Sequence, residues 1–153
     1  MDSQKIATRG LKRACSIFRQ DLEALPEEAF GKQFGGKSRT VADIVYEVNL
    51  VNDHVGLTIR EEELFDWPEG WIKAPVELNS KEAALAAFDE SSRLIIETVE
   101  GFSDDQWNTP LETDDGVTDR LERCRFMTLH LWYHSGQLNF IQTLLGDDAW
   151  HWK

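Results

Sequence analysis

The sequence holds only two cysteines, Cys15 and Cys124, far apart and without a Cys-x-x-Cys spacing. That excludes a disulfide framework and a cysteine-built zinc site, and two reduced structural thiols are expected. Proline is nearly as scarce. All four, Pro26, Pro68, Pro75 and Pro110, fall between stretches of helical period, so no helix is interrupted from within. No apolar run approaches the roughly 20 residues of a membrane span, and membrane insertion is not expected. The start of the chain, with Lys5, Arg9, Lys12 and Arg13, leads into a mixed helix rather than the apolar segment of a signal peptide, so a cytoplasmic protein is expected. Basic charge is also in short supply. Sixteen Lys and Arg stand against 28 Asp and Glu, a net charge of -12 that repels nucleic acid and anionic membrane surfaces at long range and sets both aside as partners.

What remains is 153 residues, 41% hydrophobic and 10% aromatic, enough for one domain over residues 1–153 to bury a sizeable core. Ala7, Leu11, Ala14, Phe18, Leu22 and Leu25 recur at spacings of three and four, predicting a helix over 3–25 that Pro26 stops. After a Gly- and Lys-rich stretch, Thr40 with Asp43 resembles a capping box, and Val41, Ile44, Val48, Val51, Val55 and Ile59 mark a second helix running out near Glu63. Residues 64–78, with Trp67 and Trp71, read as a long connection that either lids a site or packs on the third helix. Asn79 with Glu82 signals the cap of that third helix, whose stripe is Leu85, Phe88, Ser92, Ile95, Val99 and Phe102. Ser103 to Gln106 opens one short helical turn that Pro110 ends, and Thr113 to Gly116 reads as acidic loop. A last helix is expected from about Thr118 to Leu145, with Gly146 after its end. No β-strand alternation is evident. The pattern predicts an all-α protein, a four-helix bundle whose longer connections allow parallel neighbours.

On the last helix, the expected buried face collects Phe126, Met127, His130, His134, Gln137, Ile141 and Leu145. His130 and His134 are spaced i, i+4, so both imidazoles project from one side and can serve one metal ion. The structural alternative is a pair of buried histidines that simply hydrogen-bond neighbours. A third ligand has to come from another helix, and the second helix offers two, Glu47 and His54. They lie two turns apart on the same edge, about 10 Å in height, so at most one is level with the pair. His54 would complete three imidazoles, favoured by catalytic zinc; Glu47 would give two histidines and a carboxylate, which suits zinc, nickel or iron. Either way a coordination position stays open. Gln137 sits one turn beyond His134, where it could orient a ligand or a bound water. His151, between Trp150 and Trp152, reads as hydrophobic closure of the bundle end rather than as a ligand.

The phrase Thr128-Leu-His130-Leu-Trp-Tyr-His134-Ser-Gly136-Gln137-Leu resembles the closing motif of the DinB/YfiT-like superfamily of metalloenzymes, His-x-x-x-His-Arg-Gly-Gln. Thr40-Val-Ala-Asp-Ile-Val-Tyr-Glu47 resembles its second-helix opening, and the Phe102-Ser-Asp-Asp-Gln-Trp107 turn and the helix lengths fit as well. The chain departs from the pattern twice: Ser135 replaces the usual arginine, and Glu47 stands where a histidine is the rule. Carboxylate substitution there does occur among related thiol-dependent members. The resemblance implies an up-down-down-up bundle holding a divalent ion, zinc or nickel, on Glu47, His130 and His134, with His54 as the substitute third ligand.

It further implies a small-molecule substrate, a low-molecular-weight thiol as co-reactant, and a homodimer. Such an ion lowers the pKa of a bound water or holds a thiol as thiolate. The leading expectation is therefore a thiol-dependent S-transferase or isomerase. The alternatives are a metal-dependent hydrolase, and a non-catalytic, stress-associated bundle with structural metal or none.

Overall fold

The four long stretches of helical period are four long helices in the computed structural model, which describes residues 3–114 and 116–153. α1 spans Ser3–Ala24, α2 Val41–Arg60 and α3 Lys81–Glu100; α4 is the short helix Asp104–Asn108, and α5 spans Arg120–Leu144. The capping box at Thr40 is present in full: the Asp43 N–H donates to the Thr40 hydroxyl at 3.0 Å, and the Thr40 N–H donates to the Asp43 carboxylate at 3.2 Å. Ser103 and Gln106 form the same reciprocal cap on α4. The cap of α3 is not Asn79 but Ser80, whose hydroxyl accepts from the Ala83 N–H at 3.2 Å. Asn79 is taken up in closing the 3₁₀ turn Val76–Leu78, and this moves the helix start on by one residue. At the far end of α5, Gly146 turns the chain away with φ 84°, a conformation that only glycine adopts freely.

Two further expectations are corrected. The stretch before α5 is not all loop: β1, Leu111–Thr113, pairs antiparallel with β2, Gly116–Thr118, in the register Leu111 to Thr118 and Thr113 to Gly116. Three-residue strands are too short for an alternating pattern to register in sequence. Asp115, part of the expected acidic loop, lies outside the described residues. The second correction concerns α5, where Phe126 is 45% exposed rather than buried. The buried face runs through Cys124, Met127, Leu131, His134, Ser135, Leu138 and Ile141, while Leu129, Tyr133 and Phe140 face solvent. Apolar side chains stand on both the buried and the exposed sides of α5, so its sequence does not announce the inner face.

α1 and α2 each pack against both α3 and α5. The core between them is filled by Phe18, Leu22, Phe30, Ile44, Ile59, Phe88, Met127 and Leu131, with Phe18 and Phe88 meeting at 4.8 Å between ring centroids. No described helix is long and apolar enough to cross a membrane.

One buried cation ties the helix ends together. Arg120, at the start of α5 and 2% exposed, donates from Nε to the Ile59 carbonyl at 3.0 Å and from Nη1 to the Gln106 carbonyl at 2.7 Å. Nη2 reaches the exposed Glu61 carboxylate at 2.9 Å, and the guanidinium lies over the Phe102 ring. It thus satisfies the carbonyl that the end of α2 leaves open, adds a second donor to the Gln106 carbonyl of α4, and fixes the height of α5 against α2. Arg120→Met should therefore cost about 2–4 kcal/mol in urea unfolding, since the buried Ile59 carbonyl is left unpaired and the packing of the guanidinium is lost. A loss below about 1 kcal/mol would mean that these contacts behave like an ordinary surface pair.

Candidate metal centre

The Arg120–Ile59 clamp sets which side chains of α2 and α5 are level. At 1.5 Å per residue, Glu47 lies about 18 Å before Ile59, and His130 and His134 lie about 15 and 21 Å after Arg120. His54 is only about 8 Å from the clamp, one or two turns too close to it. Glu47, His130 and His134 accordingly come together, their ligand atoms all within 4.8 Å of one another. Nε2 of His134 is 3.1 Å from Nε2 of His130 and 3.9 Å from the nearer Glu47 oxygen. Two ligand atoms on one tetrahedral zinc ion, each about 2.0–2.1 Å from it, stand about 3.3 Å apart. The imidazole pair matches that spacing, Glu47 stands somewhat farther off, and the three donor types suit a divalent ion.

Gln137 strengthens that fit. Its side-chain oxygen lies 2.9 Å from Nδ1 of His134 and can only accept, so the proton sits on Nδ1 and the Nε2 lone pair faces His130 and Glu47. His134 is fully buried and its ring packs edge-on to Tyr133; His130 is half-buried beneath Phe126. His54 is placed elsewhere, edge-on to Phe65 and Trp67. His151 pairs with Asp147 at 2.7 Å. Trp67 and Trp71 do different things: Trp67 packs on His54 and Phe65, and Trp71 lies under the Arg39 guanidinium at 4.3 Å.

Sequence reasoning missed Arg39. It forms an ion pair with Glu47 inside the cluster, and its Nε is buried with no hydrogen-bond partner. No periodicity points to it, because it precedes the cap of α2. The available signal was Glu47 itself, since a carboxylate turned toward a core calls for a cation. Asp43 then holds the neighbouring loop in place, accepting from the Ala74 N–H at 2.8 Å and from Lys73 at 3.3 Å.

Burial, helped by the Arg39 charge, pushes the His130 imidazole down to about 4. Burial, the His130 neighbour and Arg39 push His134 down to about 3, against the Gln137 hydrogen bond. The unfolded value is about 6.5. Folded imidazoles that bind protons less readily than the unfolded chain contribute stability above pH 6.5, which is lost as the pH falls toward 4. In metal-free protein the thermal midpoint should fall across that window. A His130→Gln, His134→Gln double variant should show a flatter profile, and equal slopes in the two proteins would contradict the burial of neutral imidazoles.

A carboxylate and two histidines, gathered between the long helices of a mostly helical chain, define a class of helical proteins with a candidate metal cluster in the core. The family is shown by sequence: residues 11–138 match the DinB superfamily, and the chain belongs to it. Among solved structures, it is similar to a mycothiol-dependent maleylpyruvate isomerase with a TM-score of 0.75 and 14% identity over 88% of this chain. It is also similar to a histidine-to-alanine mutant of a mycothiol-dependent maleylpyruvate isomerase, with a TM-score of 0.63 and 14% identity. The match covers 60% of those longer chains, and at this identity the likeness concerns the fold. No curated protein matches the sequence.

Proposed function

We propose that Glu47, His130 and His134 hold one divalent ion, zinc or nickel, and that the protein is a thiol-dependent S-transferase or isomerase acting on a small molecule. The observation that carries this reading is the convergence of three ligand atoms of the right kind, with no further histidine, cysteine or carboxylate joining them among the described residues. Four protein ligands are usual in a structural zinc site, whereas three leave room for an exogenous group. Membership of the DinB superfamily supports the metal, and the mycothiol dependence of the similar isomerase supports the thiol. The same reading takes residues 1–153 as one domain, an up-down-down-up bundle working in the cytoplasm as a homodimer.

When bound, the ion would supply a Lewis acid that keeps a thiol ionised at neutral pH. The residues of the chain prepare for it. Gln137 holds the His134 tautomer that offers Nε2, Glu47 supplies the single negative charge of the ligand set, and burial keeps both imidazoles neutral. Glu47 must exchange Arg39 for the ion.

Metal content by plasma mass spectrometry, on protein made without a polyhistidine tag, tests the reading. About one ion per chain is expected. It should be lost in His130→Ala, His134→Ala and Glu47→Gln and kept in His54→Ala. Gln137→Leu should weaken binding by roughly 10- to 100-fold, the usual loss when an outer partner is removed. Wild-type protein that takes up neither zinc nor nickel would overturn the proposal, as would loss of metal in His54→Ala.

A further inference from the structure

Beside the cluster lies a cavity of about 670 Å³, within the range of small-molecule pockets. It shares a wall with the candidate centre, because Arg39, the partner of Glu47, and Gln137, the partner of His134, both line it. Among the described residues its charged lining is cationic: Arg39 and Lys37 face it with no Asp or Glu, in a chain whose net charge is -12. Its apolar walls include aromatic side chains that folding leaves in solvent, Trp71 at 57% exposure and Tyr133 and Phe140 at 64% each. Large apolar side chains gathered round one opening mark a binding surface rather than a core.

Arg39, which lines the cavity, is short of partners. Its Nε is buried without a hydrogen bond, and the guanidinium, stacked on Trp71, answers Glu47. A cation that takes Glu47 leaves this guanidinium in a low-dielectric wall without its counter-charge, a costly state unless another anion arrives. We infer that the cavity takes a small organic acid, with its carboxylate on Arg39 and its apolar body against Trp71, Tyr133 and Phe140. The planar fork of arginine suits a carboxylate in two-point contact, and Lys37 adds attraction at the mouth. Metal and acid then bind cooperatively, because one ligand removes the partner that the other must displace. The inference rests on the proposed function only for the means of releasing Arg39, and Glu47→Gln releases it with no metal present.

The test is calorimetric titration with 3-phenylpropionate and its neutral analogue 3-phenylpropanamide. Zinc-loaded wild type and metal-free Glu47→Gln should both prefer the acid by roughly 10- to 100-fold, the value of a charge-assisted pair, and metal-free wild type should prefer it less. Arg39→Gln should lose the preference while its zinc stoichiometry is unchanged. Phe140→Glu, at an exposed position that folding tolerates, should lose it too by placing a carboxylate in the wall. Equal affinity for acid and amide in Glu47→Gln overturns the inference, and zinc uptake by wild type then leaves the proposed function standing. No zinc uptake together with a clear preference in Glu47→Gln does the reverse. A preference that survives Arg39→Gln in zinc-loaded protein places the acid on the ion and also overturns the inference.

Discussion

The half-buried Glu47 carboxylate, brought beside two neutral imidazoles, demands a positive charge, and much of the local structure follows from how that demand is met. An unpaired carboxylate in such surroundings is among the costliest things a fold can bury. Here the Arg39 guanidinium answers Glu47, and its own charge helps to keep His130 and His134 unprotonated. The ion pair couples the three side chains of the cluster to the segment before α2.

That segment is held with some care. The Asp43 carboxylate serves both the capping box of α2 and the loop that carries Trp71, accepting from Thr40, Ala74 and Lys73. Burial opposes its charge, but these donors outweigh burial and hold its carboxyl below the usual carboxylate range. One side chain thus positions Arg39 from two directions: through the helix start that follows it, and through the tryptophan beneath it. Trp67, in the same loop, serves α2 at His54 instead, so the two tryptophans of one connection stand at different places on the protein.

Arg120 plays the corresponding part for α5. By bonding to the Ile59 carbonyl, it sets the height of the last helix against α2, and that height decides which of two candidates two turns apart faces the histidine pair. In this protein the candidate site depends on a buried arginine well over 10 Å from it along the helices.

The sequence alone was enough for the helical class, the four long helices and the capping box of α2, because period, capping residues and stop signals act over a few neighbouring positions. It also brought out His130 and His134 as a pair, since their relation is internal to one helix. The third member was legible only as a choice between Glu47 and His54, and Arg39 was not legible at all. The relative height of two helices, the side of α5 that turns inward, and the countercharge of a half-buried carboxylate are set by contacts between residues far apart in the chain. Local pattern carries no record of these, and only the packed structure decided them.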